Sequence, residues 1–266
     1  SRKHMPTESL VLEVKNVEIS RDSQKVIEDA NFSINRGDYV GVVGPNGGGK
    51  TTLLSAILNF LPITKGSIRL FGTEIAKFKA WEKIAYISQQ ATSFENQFPL
   101  TVKELVSLGC IKKGNVGRRF RKEDWSAVDN SIRFMGLEDV ANKRIGQLSG
   151  GQKQRVFVAK ALARNPELIL LDEPIVGVDS NAQERFYKKL SDLNIERKTT
   201  ILIVTHDLTS VFCRMSKVLC VSKKVEEAKI TDDLDANKLL KRAYGEHFHF
   251  VFHKHECSGV FTNGHC

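Results

Sequence analysis

No stretch of this chain stays apolar for long. The longest uncharged apolar runs, such as Leu168 to Leu171 and Ile201 to Val204, fall far short of the ~18 residues a membrane-spanning helix needs, so no segment is expected to cross a bilayer. Cysteine is scarce. Cys110, Cys213, Cys220, Cys257 and Cys266 are odd in number and widely spaced, which argues against a disulfide framework and fits a reducing compartment. No N-terminal signal peptide is expected either, because SRKHMP is polar; residues 1–8 read as an N-terminal extension, with the four residues before Met5 a candidate expression scar. Internal repeats and low-complexity linkers are likewise absent, which leaves one large domain or two modest ones.

What is present is an ordinary globular composition, 266 residues with 41% hydrophobic and 27% charged, and an excess of base. The formal net charge of +9 suits nucleic acid or an anionic membrane surface equally. One oddity stands out. Of seven histidines, His247, His249, His253, His255 and His265 lie in the last twenty residues.

LVLEVKNVEI (residues 10–19) alternates apolar and polar as a half-buried strand does, and residues 26–34 continue the β pattern. Residues 39–43 (YVGVV) are apolar throughout, as expected of a strand buried on both faces of a largely parallel sheet. A glycine-rich turn and the helical composition LLSAIL follow. Between residues 101 and 146 the spacing turns helical: ELVSLG, WSAVDNSIRFMGL and EDVANKRI each carry apolar residues three and four apart. This region reads as a helical insertion. Within it, IKKGNVGRRFRK places six basic residues in a loop, either a patch for a membrane or nucleic acid or a solvated surface. Leu168–Leu171 and Ile201–Val204 are further buried strands with a charged helix between them, and residues 235–244 form a short amphipathic helix.

The chemistry concentrates in two motifs. Gly44-Pro45-Asn46-Gly47-Gly48-Gly49-Lys50-Thr51 satisfies G-x-x-x-x-G-K-[ST] between a buried strand and a helix, the context a phosphate-binding loop requires. Its glycines let successive N–H groups and the helix N-terminus face a triphosphate. Lys50 then reaches the β- and γ-phosphates, the Thr51 hydroxyl ligates Mg²⁺, and Thr52 is the last of the ATP-binding residues of this stretch. The second motif, LILLDE, ends an apolar strand in Asp172, suited to hold Mg²⁺, and Glu173, suited to polarise the attacking water as a general base.

Between these motifs stands Leu148-Ser149-Gly150-Gly151-Gln152, followed by KQRVFVAKALARNPELILLDEP. Taken alone, Ser149 is a helix N-cap. In this order the chain resembles the ATP-binding cassette (ABC) ATPases, from about Val11 to Lys224. The resemblance implies an α/β fold: a P-loop NTPase-type core sheet, an N-terminal antiparallel β subdomain and an inserted α-helical subdomain at about residues 92–150. It places the ATPase domain at residues 9–230 and a C-terminal helix and His-rich tail at 231–266.

The same resemblance adds site residues. Gln89 in YISQQ looks like the glutamine that contacts Mg²⁺ and the attacking water, Asp179 in VGVD like the acid following the Asp-Glu motif, and His206 in VTHD like the switch histidine facing the γ-phosphate. Arg21 stands where the family usually has an adenine-stacking aromatic; a guanidinium plane stacks on a base as well. With one phosphate loop and one LSGGQ, the chain is expected to pair with a second copy, each copy's Ser149, Gly150, Gly151 and Gln152 completing the other's ATP site. Integral-membrane permease subunits and, indirectly, an extracytoplasmic substrate-binding protein are the implied partners. No nucleic acid is expected, and the location is peripheral, on the cytoplasmic face of the membrane.

The single cassette, the GVD variant and a tail beginning YGEHFHF make the chain similar to the ATPases of zinc and manganese importers. An iron-chelate or other nutrient importer is the alternative, and a nucleic-acid or ribosome-associated cassette ATPase a more distant one. The tail has its own chemistry: His247, His249, His253, His255, Cys257, His265 and Cys266 offer nitrogen and thiolate ligands that suit Zn²⁺. A disordered polar tail and a folded strand with exposed histidines are the other readings of the same residues.

Overall fold

The computed structural model describes residues 10–89, 99–111, 117–175 and 177–248. The chain divides into two compact units, one formed by the residues up to Lys79 and from Ser191 onward, the other by Ala80–Leu190.

In the first unit, β1 (Leu10–Arg21) and β2 (Gln24–Asn35) form a hairpin. Its two-residue turn, Asp22-Ser23, takes positive φ at both positions (49° and 64°), the geometry that matches the twist of paired strands. β4 (Lys65–Leu70) and β5 (Thr73–Glu74) extend this antiparallel sheet in the order β2-β1-β4-β5. Its alternation is the one read from the sequence: Ile27, Ala30, Phe32 and Ile34 of β2 are buried.

A second sheet of this unit is built around β3 (Tyr39–Val43). β8 (Thr200–Val204) and β9 (Lys217–Ser222) flank it in parallel, and β10 (Lys224–Lys229) returns antiparallel to β9. All five residues of β3 and of β8 are buried, as parallel strands covered on both faces require. A charged residue is also buried here. Lys217 is 4% exposed, and its Nζ donates to the Ser33 carbonyl at 2.6 Å and pairs with Glu227 at 2.6 Å and Asp38 at 3.3 Å. A buried ammonium is tolerable only with such a full set of partners, and this one ties β2, β9 and β10 together. Helices α1 (Lys50–Ile57), α6 (Leu208–Arg214) and α7 (Ala236–Tyr244) complete the unit.

The second unit pairs β6 (Ile84–Ile87) with β7 (Leu168–Asp172) in parallel and adds α2 (Val102–Ser107), α3 (Lys122–Phe134) and α4 (Gly150–Leu162). α5 (Ser180–Arg197) then leads the chain out of it. The helical reading of ELVSLG and WSAVDNSIRFMGL corresponds to α2 and α3. That of EDVANKRI does not hold: the segment makes only single 3₁₀ turns at Glu138–Val140 and Ile145–Gln147. The reason lies in its backbone groups. The carbonyls of Ala141 and Lys143 accept from the N–H groups of Lys103 and Val102, and the Ile145 N–H donates to the Leu100 carbonyl, all at 2.9–3.0 Å. Groups committed to the start of α2 cannot serve an i to i−4 ladder. Cys110 and Cys220 are free and buried.

Candidate functional site

The first unit carries the glycine-rich loop. β3 ends at Val43 and the chain turns at Gly44, whose φ of 152° lies in glycine territory. A Cβ on Gly44 would sit 2.0 Å from the Val221 carbonyl oxygen of β9, so the backbone approaches closer than any side chain allows. Farther along, the Lys223 N–H donates to the Gly48 carbonyl at 3.2 Å. The back of the loop is therefore fixed against the β9–β10 turn.

Its front is left to a ligand. Gly49 occupies the N-cap of α1 with no side-chain cap, and the positive end of the helix dipole at that point favours an anion. Lys50 is 6% exposed and folds over the loop, donating from Nζ to the carbonyls of Gly44 (2.8 Å) and Pro45 (2.9 Å). Asn46, Gly47 and Thr51 are exposed and Thr52 half-buried. Glycine cradle, uncapped helix start and buried ammonium are together the chemistry of a polyphosphate site, and a hydroxyl such as that of Thr51 is an oxygen donor of the kind Mg²⁺ takes.

His206 belongs to the same edge of the same sheet. Val204, the last residue of β8, is level with Val42 of β3, and the Thr205 N–H donates to the Val42 carbonyl at 3.1 Å. The exposed His206 thus leaves its strand where Gly44 leaves β3. Asp207 then caps α6 through the Ser210 N–H at 3.0 Å. Arg21 is exposed at the end of β1, beside the hairpin turn.

The second unit holds the carboxylates. The pairing of Ile87 with Leu171 brings the residues two further along each chain level, and the Gln89 Nε2 donates to Glu173 Oε2 at 3.3 Å. Asp172 is 3% exposed at the end of β7. Burial pushes the Tyr86 hydroxyl above its usual range, and the negative charge of Asp172 adds to the shift. Glu173 adopts φ 45°, a left-handed conformation that costs a non-glycine residue of order 1–3 kcal/mol and clusters at functional positions.

Ser149 and Gln152 form a reciprocal capping box at the start of α4: Ser149 Oγ accepts from the Gln152 N–H at 3.2 Å and Gln152 Oε1 from the Ser149 N–H at 3.0 Å. Gly150 is exposed and Gly151 buried. Asp179 Oδ1 accepts from the Ala182 N–H at 2.9 Å, so this acid caps α5.

Of the tail ligands, His247 is exposed, and His249, His253, His255, Cys257, His265 and Cys266 lie outside the described residues. Among the described residues no group of three or more His, Cys, Asp or Glu is arranged to hold a metal ion, and no helix is long and apolar enough to cross a membrane. One residue that touches the loop was not singled out from the sequence. The Tyr244 hydroxyl accepts a hydrogen bond from the Gly44 N–H at 2.9 Å, a contact across 200 positions that no local pattern announces.

Residues 27–176 match the family model described as ABC transporter. The zinc uptake system ATP-binding protein ZurA of Listeria innocua is 41% identical over 215 residues, spanning 81% of this chain and 84% of that protein. The manganese transport system ATP-binding protein MntB of Bacillus subtilis is 30% identical over 254 residues, spanning 96% and 98%. Among solved structures, cbiO1 of Clostridium perfringens, part of the ABC transporter complex cbiONQ, superposes with a TM-score of 0.77 at 25% identity over 88% of this chain and 94% of that one. A dimeric structure of the bacterial ABC transporter cassette MJ0796 gives 0.68 at 29% identity over 83% and 99%. These neighbours share the α/β, P-loop NTPase-type fold.

Proposed function

This chain belongs to the ABC transporter family, and from that premise we propose that it powers the import of a divalent metal ion, zinc or manganese. It is an ATPase that binds ATP with Mg²⁺, and its class works as a dimer with membrane permease subunits. The observation that carries the choice of cargo is the likeness to ZurA and MntB, the latter over nearly the whole of both chains. The permease lies in the membrane, an extracytoplasmic protein delivers the metal, and this chain sits peripherally on the cytoplasmic face.

Mg²⁺, when bound with ATP, would supply charge neutralisation at the phosphates; Thr51, Asp172 and Gln89 are the residues assigned to hold it. Lys50 and the N–H groups from Gly47 to Thr52 bind the triphosphate. Glu173 takes the proton from the attacking water at its carboxylate, and Gln89 holds that carboxylate by the bond described above. His206 orients the γ-phosphate, and Arg21 stacks on the base. Ser149, Gly150, Gly151 and Gln152 of a second copy close the site, with Asp179 at the junction of copies. Hydrolysis reopens the pair, and that movement drives the permease.

Uptake by proteoliposomes containing the chain and its permease is the test. ATP-dependent entry of Zn²⁺ or Mn²⁺, lost with Lys50→Ala, is the expected result. Entry of a ferric chelate with neither metal transported would overturn the choice of cargo. In the same reading the tail supplies an accessory zinc site, because imidazole and thiolate are the ligands Zn²⁺ prefers. Truncation after Phe248 should lower Zn²⁺ affinity, and equal affinity in both forms would sink that site.

A further inference from the structure

Helix α7 is seated by two buried leucines, Leu239 and Leu240 (8% and 0% exposed). Asp235 caps its start through the Lys238 N–H at 2.9 Å, and Arg242 binds Glu226 of β10 at 2.7 Å. The helix ends at Tyr244, whose ring stacks on Phe248 with centroids 4.6 Å apart and planes 20° off parallel. From that position the hydroxyl reaches the Gly44 N–H. Gly44 is buried, and the tyrosine hydroxyl is the partner that the structure gives its N–H.

The anchors of the loop differ in kind. Those from β9 and the turn after it are backbone to backbone and cannot be withdrawn without breaking the sheet. The one from α7 is a single side chain. We propose that Tyr244 is a positioning residue for the phosphate loop, and that the docking of α7 sets the affinity of the loop for ATP. This rests on the reading of Gly44–Thr51 as the ATP loop. With the hydroxyl in place the Val43–Gly44 peptide is held at its Gly44 N–H, and that sets the starting direction of the next peptide, whose Gly44 carbonyl receives Lys50. Without it the peptide rotates, the Lys50 acceptor moves, and ground state and transition state lose the same contacts. Loss of that uniform kind raises KM and leaves kcat unchanged.

The test is Tyr244→Phe in the full chain, which keeps the ring and its stacking. ATP affinity by titration is expected to fall about 3- to 10-fold, the effect of one net hydrogen bond. KM should rise in step, kcat stay within about twofold, and the melting midpoint without nucleotide stay close to wild type. Arg242→Ala, which leaves the tyrosine but unpins the last turn of α7, should shift KM the same way by less. Lys50→Ala run in parallel separates the two readings. If Lys50→Ala binds ATP normally, the loop is not the ATP site. If Lys50→Ala abolishes binding while Tyr244→Phe binds as wild type, the positioning role of Tyr244 is wrong. A fall in kcat at constant KM, or an affinity loss matched by a lowered melting midpoint, would equally overturn it.

Discussion

Glycines serve opposite ends in the two regions to which we assign the nucleotide chemistry. In the phosphate loop the chain itself demands them: Gly44 has φ 152° and no room for a Cβ, and Gly48 would meet the same Val221 oxygen at 2.7 Å. At the start of α4 the demand is partial. Gly151 is tight, 3.0 Å from the Ala182 Cβ, but a Cβ on Gly150 would lie 3.6 Å from Val178, an ordinary contact, and no positive φ is required there. The loop is thus shaped by contacts within one unit. The signature glycine at position 150 has no internal reason to be glycine, and what it leaves open is an exposed helix N-terminus, the kind of surface that receives an anion brought by another molecule.

The strongest way to break this contrast is Gly44→Ala. Backbone overlap adds to a conformational strain of ~1–3 kcal/mol, so we expect a loss of at least ~3 kcal/mol in urea unfolding, together with loss of ATP binding. An alanine variant of wild-type stability would mean that the loop is not held against β9 as described. Next comes Glu173→Gln. The amide cannot accept the proton, so hydrolysis should slow about 10²- to 10⁴-fold while ATP affinity is retained and an ATP-loaded dimer accumulates in gel filtration. Normal turnover would remove Glu173 from the role of base.

Gly150→Ala sharpens the contrast from the other side. The methyl group fits, and glycine in a helix is the less favourable residue, so stability should stay level or rise by ~0.5 kcal/mol. ATPase activity should nevertheless fall about 10²-fold, the usual effect of spoiling one preorganised donor. Retained activity would show that nothing approaches this helix end closely.

Much of the site was legible because its residues sit where patterns end. Strands β3, β7 and β8 are short, mostly apolar runs, with the residues of interest at or just past their ends: Gly44, Asp172 with Glu173, and His206. Strands β9 and β10 were not legible. Lys217 opens β9 with a charge, and KVEEAK in β10 reads as polar surface; only the structure shows that Lys217 is buried because Glu227, Asp38 and the Ser33 carbonyl surround it. The helical spacing of EDVANKRI misled for a related reason. Its hydrogen bonds go to residues some forty positions away, and periodicity carries no information about distant partners. Tyr244 is the same lesson inside the site: its contact depends on where α7 docks.

The smallest expected effect separates the two jobs of Ser149. As N-cap it stabilises α4, and Ser149→Ala should cost ~1 kcal/mol measured by urea unfolding, whatever else the residue does. Ser149→Asp caps as well as serine does and its charge suits the N-terminus of the helix, so stability should return to wild type or above. If Ser149 is only a cap, ATPase activity should return with it. If the hydroxyl meets a triphosphate held by a second copy, the carboxylate instead faces like charge, and activity should stay depressed although the fold is repaired. Stability and turnover would then part company at a single residue, which capping alone cannot produce.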